Sequence, residues 1–139
     1  MTPDEYESLD RVARAEWVID GGPKSPQEEQ MVLDDPDLHV RAAAANSHHI
    51  SEDFLRRMYE REPDPALREV IATNPSAPLE LMESVPVVLQ TGAGLGAYAL
   101  RAHLTDDQKF ALEAATAQRP PEWRPLGEFI RSLDNAENR

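Results

Sequence analysis

A chain of 139 residues, 40% hydrophobic and 6% aromatic, has room for one domain with a modest core. It contains no cysteine, which excludes disulfides, thiolate metal sites and a cysteine nucleophile, and suits a reducing compartment. The net charge of −12 disfavours nucleic-acid backbones and favours a basic partner, or serves only as a solvated surface. That charge is uneven, because the first 37 residues alone carry −8. No early apolar run reads as a signal peptide, and none approaches the roughly 20 residues of a bilayer span. The expected location is the cytoplasm.

Thr2-Pro3-Asp4-Glu5 predicts a helix start, with Thr2 as N-cap, Pro3 at the first helical position and Glu5 closing a capping box. Tyr6, Leu9, Ala13 and Trp17 follow at helical spacing, widened by Val12 and Ile19, and Gly21-Gly22 ends this single long helix. Ser25-Pro26-Gln27-Glu28 repeats the start signal for a short helix carrying Met31, Val32 and Leu33. Residues 1–34 are thus expected to form N-terminal cap helices.

From Asp35 the chain repeats with a period of 27. Asp35-Pro36-Asp37 is matched by Glu62-Pro63-Asp64, Val40-Arg41 by Leu67-Arg68, and Phe54-Leu55 by Leu81-Met82. A fixed period in the range of about 20–50 residues marks units that bury apolar faces only against neighbours. In each unit proline breaks the preceding helix and the next aspartate caps a helix, over 37–46 and again over 64–73. Asn46 and Asn74 are expected to close those helices in the left-handed conformation. Ser51 and Pro78 open the second helix of each unit.

The units run 35–61 and 62–88, followed by a degenerate third over 89–118 in which Thr105-Asp106-Asp107 starts a helix. In that third unit Gly92-Ala93-Gly94-Leu95-Gly96 replaces the acid–proline corner and predicts a flexible or distorted corner. Residues 119–139 supply a C-terminal cap helix with Leu126, Phe129, Ile130 and Leu133 on one stripe, fraying from 134. The fold class is therefore all-α: a short right-handed α-solenoid of about three helical hairpins with caps at both ends.

At Val40-Arg41 to Asn46, and at Leu67-Arg68 to Asn74-Pro75-Ser76-Ala77-Pro78, the chain resembles the leucine-rich repeat variant family, with HEAT-like repeats as the near relative. The match covers about 50 residues clearly and about 85 with the degenerate copy. The resemblance implies a right-handed helical solenoid with one short helix per unit. The spacing here is longer than that family's usual unit. Some members carry a cysteine-ligated iron–sulfur cluster, which a chain without cysteine cannot hold.

Val85 to Ala97 outlines a strand, a G-x-G-x-x-A turn and a helix, as in dinucleotide binding, but nothing beyond reads as the second strand such a site requires. His39, His48, His49 and His103 lack the spacing of a helix-borne metal site, although His49 and His103 share a repeat position. No nucleophilic triad, H-E-x-x-H or P-loop is present, so no enzyme, metal or cofactor is expected.

Arg41 and Arg68 recur one unit apart, each expected to pair with a corner acid or to grip carboxylates on a partner, with Arg56, Arg57 and Arg61 nearby. Trp17 and Trp123 are expected to plug the two ends of the core, with Trp123 a contact candidate if exposed. The expected function is a non-catalytic protein-binding module for a protein or peptide partner. The alternative is a small acidic inhibitor or immunity-type protein that neutralises a basic toxin or nuclease through Glu28, Glu29, Asp34 and Asp35. Neither nucleic acid nor membrane is an expected partner.

Overall fold

The computed structural model describes the backbone of residues 1–137 and the side chains of residues 1–134. Ten α-helices and one 3₁₀ turn make up the described residues, with no strand among them. In chain order they are α1 (Pro3–Ser8), α2 (Arg11–Ile19), α3 (Pro26–Leu33), α4 (Leu38–Asn46) and α5 (Glu52–Arg61). Then come α6 (Pro65–Ala72), α7 (Leu79–Ser84), the 3₁₀ turn Val87–Leu89, α8 (Gly92–Arg101), α9 (Asp106–Ala117) and α10 (Leu126–Glu137). None is long and apolar enough to cross a membrane among the described residues.

Side-chain caps fix where these helices begin. Asp10, Asp37, Asp64 and Thr91 stand 27 residues apart, and each accepts an amide hydrogen in the first turn of α2, α4, α6 and α8. Ser25, Ser51 and Thr105 do the same for α3, α5 and α9. Each such cap contributes about 1 kcal/mol. The apolar side chains then decide the packing. Helix α2 lies against α4 and α4 against α6, while α3 and α5 back onto α4 and α6.

The core falls into two clusters. The first holds Val18, Val32, Val40, Phe54, Leu55 and Ile71, with Ala44 beside them. The second begins at Ala77 and holds Met82, Val87, Tyr98, Leu126 and Phe129. Ala44 and Ile71, equivalent in the sequence register, are both fully buried in the first cluster.

Successive connectors are tied by polar bonds at nearly the same spacing. His49 Nε2 donates to the Gly22 carbonyl at 3.0 Å, Asn74 Nδ2 to the Ser47 carbonyl at 2.9 Å, and Ser76 Oγ to the His48 carbonyl at 3.2 Å.

Several sequence expectations require correction. The single long first helix is two, because Leu9 is extended and Asp10 caps a new helix through the Ala13 amide at 2.8 Å. In the N-terminal cap, Glu5 takes the Thr2 hydroxyl at 3.1 Å as well as giving its amide to it. Val87–Leu89 forms a 3₁₀ turn, and the glycines that follow begin α8 instead of forming a corner. Neither Asn46 nor Asn74 is left-handed, since among the described residues the only non-glycine with positive φ is His103, at 54°. Helix α10 continues through Glu137, past the expected fraying point at 134, and residues 138–139 of that expectation lie outside the described residues.

The glycines of α8 have distinct roles. A Cβ on Gly94 would lie 2.8 Å from the Thr73 carbonyl oxygen, so this glycine lets α8 approach the end of α6. Gly92 and Gly96 face open space. Urea unfolding should show Gly96→Ala stabilised by about 0.5–1 kcal/mol, the ordinary gain of alanine over glycine inside a helix. Gly94→Ala should lose about 1–3 kcal/mol, because backbone must move to admit the methyl group. Equal effects at both positions would contradict the close approach.

Candidate functional site

Acid–proline corners at Asp35-Pro36 and Glu62-Pro63 precede α4 and α6. At each, the acid turns back to accept the amide two residues on, which fixes the turn that starts the next helix. Asp35 takes the Asp37 amide at 2.8 Å, and Glu62 takes the Asp64 amide at 3.2 Å. Both acids are buried, so each requires a cation.

An arginine 21 positions earlier supplies it in both cases. Arg14 lies 3.4 Å from Asp35, and Arg41 donates to Glu62 from Nε at 2.9 Å and from Nη2 at 3.3 Å. Arg41 also donates to the Pro36 and Asp35 carbonyls, at 2.8 and 3.3 Å. The Tyr6 hydroxyl adds a 2.5 Å bond to Asp35, and burial followed by that bond holds its ionisation well above the ordinary tyrosine range.

Arg68 stands 27 residues beyond Arg41, and the position equivalent to Glu62 is Leu89. Arg68 therefore has no carboxylate partner among the described residues; its guanidinium stacks 4.5 Å from the Tyr59 ring centroid instead. An open groove runs past it, lined by Tyr59, Arg68, Val85, Pro86 and Leu89, with Glu69 at its lip. The two paired arginines also border grooves, and Arg14, Met31, Asp34 and Asp35 in one correspond to Arg41, Met58, Arg61 and Glu62 in the other.

The absent third acid has a visible cause. Residues 86–90 make no free corner, because the C-terminal loop holds them: the Val87 and Val88 amides donate to the Arg124 and Glu122 carbonyls, each at 3.0 Å. Glu122 repeats the corner device locally, taking the Arg124 amide at 3.0 Å and its guanidinium at 2.8 and 2.9 Å. Arg124, acting chiefly through its side chain, lowers the Glu122 carboxyl to about 2.

A carboxyl depressed in the folded state stabilises above its unfolded range and loses that contribution as pH falls toward its folded value. Stability should therefore fall between about pH 4.5 and 2, with Glu122 responsible for roughly 2 kcal/mol after allowing for the exposure of Arg124. Glu122→Gln should flatten that part of an acid-unfolding curve. An unchanged slope would remove Glu122 from the account.

The other sequence candidates are distributed as follows. Arg56 meets Glu80 at 2.9 Å and Glu52 at 3.5 Å, while Arg57 pairs with Glu29 and Asp53, and Arg61 meets Asp34 at 2.8 Å. Glu28 takes the N-terminal amine at 2.9 Å, whose hydrogen bond lowers its ionisation, and Arg61 does the same for Asp34. Glu29, Asp34 and Asp35 are thus engaged within the chain, as are Arg41, Arg56 and Arg57. Arg68 alone of the eight candidates is left without a partner of opposite charge among the described residues.

No protein family, curated protein or solved structure matches this chain. What the surface can do follows from its geometry. The histidines do not gather with acids, and no group of three potential metal ligands forms among the described residues.

Trp17 packs edge-on to Tyr6 at 5.7 Å and against Gly22, as a core plug should. Trp123 does not plug the other end: it is 61% exposed and becomes the contact candidate. Two features escaped sequence reading. Glu122 lacks the following proline that marks the other corners, and Leu89 is recognisable only once the register is carried past the second unit.

Proposed function

We propose that the chain is a non-catalytic protein-binding module on a short right-handed α-solenoid of the leucine-rich repeat variant or HEAT-like type. Helix starts at Arg11, Leu38, Pro65 and Gly92, each 27 residues apart, support that architecture. On this reading α2 and α3 form a unit of their own and not merely a cap. The observation that carries the function is the unpaired Arg68 in its open groove, beside two equivalent arginines that each hold a carboxylate. Stacked units offer such grooves side by side, and a partner chain crossing them meets a repeated chemistry.

Photo-crosslinkers placed in turn at Leu89, Leu100 and Trp123, in the native cell, should trap one protein from at least one position. That protein, purified, should re-form a stoichiometric complex in analytical ultracentrifugation. Trapped species that form no such complex would sink the module.

In the acidic-inhibitor alternative the expected contact residues are Glu28, Glu29, Asp34 and Asp35, but these four pair with cations of the chain itself. It draws instead on Asp4, Glu7, Glu16 and Asp20, which are exposed and unpaired among the described residues. It predicts a complex with a basic protein that dissolves at high salt and on charge reversal of these four residues.

A further inference from the structure

We propose that the groove beside Arg68 binds a partner segment carrying an acid–proline step, whose carboxylate pairs with Arg68 as Asp35 and Glu62 pair with the two equivalent arginines. The inference rests on the protein-binding reading and names what that surface recognises. The chain itself displays the ligand twice. Arg14 holds Asp35 and Arg41 holds Glu62, and in both cases proline follows the acid.

Where Arg68 repeats the arginine, Leu89 offers an exposed apolar side chain and no charge, so the cation is present and its counter-ion is not. Tyr59 holds the guanidinium by stacking on its face, at 4.5 Å, which leaves the N–H edges free for a planar carboxylate. Pro86 and Leu89 supply an apolar floor on which a proline ring can pack.

Glu69 at the lip and the net charge of −12 repel long acidic runs, so the groove selects one carboxylate beside a proline and not a polyanion. The corners of a second folded copy cannot serve, because Asp35 and Glu62 are buried in their own turns. The occupant is therefore an extended segment of another protein.

The test uses fluorescence anisotropy with the whole chain and a labelled peptide Leu-Asn-Asp-Pro-Asn-Leu, which copies residues 33–38 but keeps only the aspartate that precedes the proline. Its control replaces that one aspartate with asparagine. The acidic peptide should bind at least about tenfold more tightly than the control. Arg68→Gln should erase that difference.

Leu89→Glu should erase it too, while keeping or raising the melting temperature, because the new carboxylate closes the groove from within. Equal binding of the two peptides, or undiminished binding to folded Leu89→Glu, would overturn the proposal. If the peptides fail while a crosslinker at Leu89 still traps a partner that re-forms a complex, the ligand class is wrong and the module stands. If the peptide binds as expected but no crosslinker position yields a partner, the site stands and the module falls.

Discussion

Asp35→Ala should cost about 3 kcal/mol in urea unfolding, at the lower end of what is lost when one member of a buried ion pair is removed. The side chain of Asp35 is fully buried, accepts from two donors, the Tyr6 hydroxyl and the Asp37 amide, and pairs in charge with Arg14 at 3.4 Å. Alanine leaves both donors without an acceptor and Arg14 without its counter-charge. The cost is held down because Arg14 keeps 20% of its side chain in water and can turn toward it. Asp34, the preceding residue, is the internal control. Its carboxylate lies in water with Arg61 and Gln30, so Asp34→Ala should change stability by less than about 1 kcal/mol. Similar losses at both positions would show that Asp35 does not organise the corner.

Asn74→Ala should be the other large effect, about 2–4 kcal/mol. Its amide donates to the Ala45 and Ser47 carbonyls at 2.7 and 2.9 Å, and its oxygen accepts the Ser76 amide at 2.8 Å. The two donated bonds are buried and the third is half-buried, so removing the side chain strands two carbonyls away from water and frees an amide at the edge of the site. Asn46 looks similar in sequence but is exposed and donates only to Ala42 in its own helix, at 2.9 Å. Asn46→Ala should stay within about 0.5 kcal/mol of the parent. Thermal or urea midpoints that rank the two asparagines the other way would remove the clasp from the account of stability.

The contrast between those asparagines shows what the sequence could and could not reveal. Helix starts were legible wherever the signal is local. Ser25, Ser51, Asp64 and Thr105 each sit within three residues of the amide they satisfy, and the chain alone displays that pairing. The same locality misled at the first helix, where the apolar stripe through Leu9 masked the cap at Asp10.

Contacts between helices distant in sequence left no such trace. Gly94 reads as a flexible residue until Thr73 is placed against it, and Asn74 reads as a helix end until Ala45 and Ser47 arrive from the preceding connector. At the candidate site the arginines were legible from their spacing. Their fates were not, because whether Arg41 or Arg68 meets a carboxylate depends on the residue 21 positions later.

One consequence follows from the interrupted interior. The oily residues that end at Ile71 and resume at Ala77 form two clusters joined by a short polar seam. There Arg101 donates to the Pro75 and Ala77 carbonyls and pairs at 3.4 Å with Glu52, on the helix that carries Phe54 of the first cluster. Tyr59 belongs to the first cluster and Leu89 follows Val87 of the second, so whatever settles beside Arg68 touches both. Such an occupant acts as a rivet. Free, the halves can melt in separate steps; occupied, they should surrender their slowest-exchanging amides together.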